Sequence, residues 1–184
     1  MKSRLTLAAL LLLALVSYPA GGAAPEHFTG TVANPAGAPG RTTTAPVSIH
    51  IYSYSSDEEM QRLNDLFTSK GTQALREELF DLEKGWLRIG DSLGYPIAVA
   101  RSQTLADGSR RVVIVADRPI QFFEAWNNAR SLDYPFSVVE LRLGSDGKGE
   151  GDMTAAAKVL LINGDVRVES FGVQPARLLG VRTR

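Results

Sequence analysis

Residues 110–143 read RRVVIVADRPIQFFEAWNNARSLDYPFSVVELRL. Val112–Ala116 is the most apolar strand candidate of the chain. Val112–Val115 is apolar at every position, so it predicts a central strand buried on both faces, one of them under helices. Pro119 lacks an N–H and ends that strand near Arg118. At the other end, Phe136–Leu143 alternates, with Val139, Leu141 and Leu143 predicted inward and Glu140 and Arg142 outward. Between them, Ile120–Tyr134 is rich in aromatic and charged residues and reads as an irregular or short helical bridge.

Flanking segments extend the sheet. Pro96–Leu105 and Arg110–Asp117 read as strands joined at Asp107-Gly108, a hairpin signal that pairs Ala100 with Val115 and Ser102 with Val113. Trp86–Ile89 is a short strand candidate. Val47–Tyr54 alternates, with Val47, Ile49 and Ile51 on one face and Ser48, His50 and Tyr52 on the other. Asn163-Gly164 sits between two apolar runs and favours a type I′ turn. That register sets Leu161 opposite Val166, Val159 opposite Val168, Lys158 opposite Glu169 and Leu160 opposite Arg167, with the first two pairs on one buried face. Ala176–Val181 reads as a last strand.

Helical spacing appears in two adjacent stretches. Ser56-Asp-Glu-Glu59 has the form of a capping box, and Met60, Leu63, Leu66 and Phe67 follow at helical intervals. Gly71 reads as a stop and Thr72 as a second cap. Leu75, Leu79 and Leu82 form another stripe, ended by Gly85. The expected fold is therefore α+β: a mainly antiparallel, twisted sheet of six to eight strands with an αα-hairpin packed on one face.

The N-terminus reads as a separate segment. Lys2 and Arg4 precede the apolar run Leu5–Val16 and the small-residue stretch Ser17–Ala24, the pattern of a signal peptide over 1–24. The run is shorter than the about 20 residues that span a bilayer. Cleavage is expected between Gly22 and Pro25, which places the product in the periplasm or outside the cell, with no membrane association afterwards. Residues 25–46, rich in Pro, Gly and Thr, read as a linker with an edge strand at His27–Val32, and 47–184 as a single domain.

Composition narrows the chemistry. The chain has 184 residues, no cysteine, and 20 basic against 20 acidic residues. Disulfides, thiolate catalysis and Cys-ligated metals are excluded, and the charge balance argues against nucleic acid as a partner. No nucleophile elbow, phosphate loop, dinucleotide fingerprint or zinc motif occurs, and no cofactor or metal is expected. His50 on a strand face reads as a surface or hydrogen-bonded group, and His27 is the one other histidine. Asp146, Glu150 and Asp152 on a glycine-rich turn only weakly match a calcium loop.

Around the bridge, Arg118, Glu124, Trp126, Arg130 and Asp133 combine cations, carboxylates and an aromatic ring, a set that can bind an anionic or carbohydrate ligand. The same residues can equally form a structural ion network. Two functions compete. One is a non-enzymatic module binding a small molecule, glycan or protein. The other is a hydrolase using Glu124 with Asp133 or Glu140 as an acid/base pair. The segments DGSRRVVIVADRPI (107–120), RSLDYPFSVVELRL (130–143) and GKGEG (147–151) resemble those of uncharacterised secreted bacterial proteins. The resemblance runs from about Val47 onward; it implies a recurring fold and carries no activity to individual residues.

Overall fold

The computed structural model describes residues 25–34, 43–118, 120, 136–162, 165–170 and 175–184. Among these residues nine strands and one helix follow in order: β1 (Glu26–Asn34), β2 (Thr43–Ile51), α1 (Asp57–Phe80), β3 (Gly85–Ile89), β4 (Tyr95–Thr104), β5 (Arg110–Ala116), β6 (Phe136–Leu143), β7 (Lys148–Ile162), β8 (Asp165–Ser170) and β9 (Ala176–Thr183). Each strand hydrogen-bonds antiparallel to its neighbours in the order β6-β5-β4-β3-β2-β1-β9-β7-β8, and β6 also pairs with β7. That last pairing closes eight strands into a barrel, with β8 as an outrigger on the far half of β7.

The expected α+β fold, a twisted sheet of six to eight strands carrying an αα-hairpin, is overturned by this closure and by the helix. Among the described residues no two-helix hairpin forms. Asp57–Phe80 is one helical element, bent where Gly71 takes a non-helical φ of 81° and ψ of −172°. Gly71 and Thr72 carry stop and start signals, yet the chain takes no loop between them. The bend is sharp, since Arg62 and Glu78 meet in an ion pair; on a straight helix, sixteen residues would span roughly 24 Å.

Alternation sorts the strand side chains between two cores. Phe28, Val47, Ile49, Ile51, Leu87, Ile97, Val112, Ile114, Val139, Leu141, Met153, Leu178 and Val181 point inward and fill the barrel. An eight-stranded barrel is just wide enough for side chains to fill it. On the outside, Met60, Leu63, Leu75 and Leu79 of α1 pack on Ala98, Val99, Val113, Val115, Phe136 and Val138, joined by Val159 and Val166 from the outrigger. Val112–Val115 is thus buried on both faces, as its composition demands.

The helix start is pinned to β4. The Ser55 N–H donates to the Ala100 carbonyl at 2.7 Å, and buried Arg101 donates to the Ser55 carbonyl and to Asp57, both at 2.6 Å. Half of the capping box forms. Ser56 accepts from the Glu59 N–H at 3.2 Å, while the Glu59 carboxylate pairs with Lys84 at 2.8 Å.

Several local readings shift. The β4–β5 register pairs Ala100 with Ile114 and Ser102 with Val112, one residue from expectation. The reason is a longer loop: Leu105 accepts from Gly108 and donates to Ser109, so three residues rather than two turn the corner. Gly85 begins β3 rather than ending a helix. His27–Val32 lies within β1, which pairs on both sides, with β2 and β9, and is no edge. The β7–β8 register matches the expected pairs throughout, although Val168 is 38% exposed rather than buried. The turn at 163–164 lies outside the described residues, as does the signal-like segment 1–24.

Candidate functional site

Of the five residues singled out around the bridge, only Arg118 lies among the described residues; Glu124, Trp126, Arg130 and Asp133 do not. Arg118 donates from Nε and Nη2 to the two oxygens of buried Asp117, at 2.8 and 2.7 Å. Its guanidinium lies 5.6 Å from the centroid of the exposed Phe80 ring at the end of α1. Phe80 borders a cleft of about 400 Å³ that Gln73, Arg76, Glu77 and Asp81 also line. In the described part of this region Arg118 is thus engaged by its chain neighbour Asp117.

Glu140 is poorly suited to the acid role. Burial pushes its carboxyl up, but hydrogen bonds and charge from Arg111 and Arg142 outweigh that and hold it below the usual range. The acidic turn is likewise engaged: Asp146 accepts from the Lys148 N–H at 3.0 Å, and Glu150 and Asp152 face Arg177 at 2.9 and 3.4 Å. Among the described residues no cluster of three potential metal ligands occurs.

Two constellations escaped the sequence reading. One closes an end of the barrel. Glu26 and Arg110 face inward at the starts of β1 and β5, and Arg110 donates to Glu26 at 2.7 Å. The Tyr54 hydroxyl donates to the other Glu26 oxygen at 2.6 Å. Burial, followed by the Glu26 hydrogen bond, raises the phenol and keeps it neutral. Beneath them the Phe28 ring centroid lies 5.7 Å from the guanidinium. Each charge is matched, so this set caps the core.

The other lies on the outer wall, opposite in character to the helix-covered side. Register places His27 beside His50 and His50 beside Trp86 across β1, β2 and β3. Their rings stack into a row, with centroids 3.7 Å apart for the imidazoles and 4.1 Å for His50 and Trp86. The rings spend their faces on one another, so the row offers edges. The His27 Nε2 hydrogen-bonds Ser48 at 2.8 Å.

A second row runs alongside, Arg88–Ser48–Thr29–Arg182, in register from β3 to β9. Arg88 lies over Trp86, 4.9 Å from its ring centroid. Among the described residues, no carboxylate lies within ion-pair distance of Arg88 or Arg182. The Thr29 hydroxyl is buried without a hydrogen-bond partner. Burial, then the charge of Arg184, lowers the His27 pKa. Burial, then His27 and Arg88, lowers that of His50. Both shifts favour the neutral imidazole.

A signal for this wall exists in the sequence: His27 and Thr29 alternate outward as Ser48, His50 and Tyr52 do. What local pattern cannot supply is the register that brings the two histidines side by side. No family model matches the chain, and no similar protein is found among the curated proteins or the solved structures.

Proposed function

We propose that this protein is a non-enzymatic binding module, exported to the periplasm or secreted, that holds its ligand on the outer wall formed by β3, β2, β1 and β9. The signal-like segment 1–24 supports the export. One observation carries the binding surface: His27, His50 and Trp86 stack in register beside two arginines that have no carboxylate partner among the described residues. The lumen offers no alternative room where inward side chains such as Phe28, Ile49, Leu87, Ile114 and Leu141 are about 1% exposed or less. In the competing hydrolase reading Glu140, held ionised by its arginine partners, is unsuited to the acid role.

A thermal-shift screen of the folded protein against metals, sugars, lipids and peptides tests this. A ligand at about 100 times its Kd adds roughly 2.7 kcal/mol of stability. The expected result is a stabilising compound whose effect disappears in His50→Ala and Arg88→Ala but survives in Phe80→Ala. A shift lost only in Phe80→Ala, or turnover of any compound, overturns the reading.

A further inference from the structure

We infer that this outer wall takes an acidic glycan, an extended sugar chain bearing carboxylate or sulfate groups, and that acidification tightens the grip. The inference rests on the outer-wall reading above and adds the chemistry of the ligand.

Shape argues first. Small molecules favour concave sites that bury most of their surface, whereas this face is the outer surface of a sheet. A polymer lying along it needs no pocket. Charge argues next. Arg88 and Arg182 stand at the two ends of one row, three strand spacings or roughly 14 Å apart, with Ser48 and Thr29 between them and the Thr29 hydroxyl buried. Arg184 adds a third cation next to His27, its N–H donating to the His27 carbonyl at 2.9 Å. Cations at the ends and the Ser48 hydroxyl between them match a chain whose acidic groups are separated by sugar hydroxyls. Duplex nucleic acid fits less well, since its dense phosphates call for a larger basic field than a chain of zero formal charge offers. A protein partner would want apolar anchors at the centre of the face; its exposed apolar residues, Tyr52 and Leu179, lie at its margins.

Protons enter through the first row. His27 faces His50, Ser48 and Arg184; His50 faces His27, Trp86 and Arg88. No carboxylate figures among the charges acting on either ring. In the free protein, protonation sets like charges side by side. A bound polyanion supplies the missing counter-charge, so ligand and protons are taken up together, and the coupling is reciprocal.

Calorimetric titration with heparin oligosaccharide and polygalacturonate, with dextran as the neutral control, tests this at pH 5.5 and 8 and at two salt concentrations. The acidic chains are expected to bind and dextran to fail. If binding raises each imidazole pKa by about half a unit, affinity at pH 5.5 is up to about tenfold tighter than at pH 8. His27→Gln/His50→Gln is expected to flatten that difference. Arg88→Gln/Arg182→Gln is expected to weaken binding at both pH values while the circular dichroism spectrum stays native. Equal affinity at both pH values, or acidic chains bound no better than dextran, overturns the inference. If dextran, an acidic peptide or duplex DNA binds this wall in preference, the inference fails while the outer-wall reading stands. If heparin binds but the double arginine variant is unaffected, both fail.

Discussion

The two halves of the barrel's outer wall share one interior and differ only in what they turn outward. Inward, β4–β6 contribute Ile97, Val112, Ile114 and Val139, and β1–β3 contribute Phe28, Ile49 and Leu87, all equally buried. Outward, β4–β7 present Val99, Val113, Val115 and Val138, which α1 covers. β1–β3 present His27, Ser48, His50, Trp86 and Arg88, which no described element covers. The inward pattern makes a barrel, and the outward pattern decides whether a strand is packed or available. The available half is therefore where binding is sought.

Substitutions separate the halves by size of effect. On the covered half, Leu63→Ala empties a fully buried position between α1 and the barrel. It is expected to cost about 2–5 kcal/mol in denaturant unfolding, as buried leucine truncations do. Gly149→Ala strains the closing seam, because an added Cβ would sit 1.8 Å from the Arg142 carbonyl oxygen. A loss of about 1–3 kcal/mol is expected in the same assay, and an unchanged midpoint would contradict the β6–β7 pairing. On the bare half, Trp86→Ala removes a stacked ring and should cost less than Leu63→Ala; the stacking itself is worth about 0.5–1.5 kcal/mol. A cost equal to Leu63→Ala would mean that the bare wall is a core after all. Leu93→Ser, at a fully exposed position, should stay within about 0.5 kcal/mol.

The halves also differ in pH response. His27 and His50 titrate below their ordinary 6.5 in the folded chain. Between that folded value and 6.5 the unfolded chain holds more protons than the folded one. Stability is thus unaffected by these rings above about pH 6.5 and falls as acid takes the pH down through the folded value. Thermal melts from pH 8 to 5 should show this decline, and His27→Gln/His50→Gln should reduce it. Added acidic glycan should oppose the same decline, so the slope with and without ligand sharpens the contrast between stability and affinity.

What the sequence disclosed divides along the same line. The doubly apolar Val112–Val115 announced a strand covered on both sides, and the alternation of Val47–Ile51 announced one covered on a single side. The Asn163-Gly164 register followed from apolar and charged pairs agreeing. Closure was not legible, because it depends on β6 meeting β7 and on β1 meeting β9, contacts between distant segments that leave no local period. For the same reason His27, flanked by Pro25 and Pro35, looked like a residue of a linker. Gly71 and Thr72 carried conflicting information: they bend one helix where their propensities predict two. The bridge set was visible as composition; of it Arg118 lies among the described residues, where it meets Asp117.

The seam between β1 and β9 pairs Phe28 with Thr183 and Val32 with Leu178. Nearly the whole domain must therefore be in hand before the cylinder can shut, and pairings this remote in sequence form slowly. Until they do, β1 and the early half of β7 each hold out a row of unsatisfied backbone donors and acceptors, the kind of edge on which another copy can add itself. A chain stalled short of its final strand is thus expected to be the sticky species of this protein, and whatever shortens that interval would protect it from aggregation.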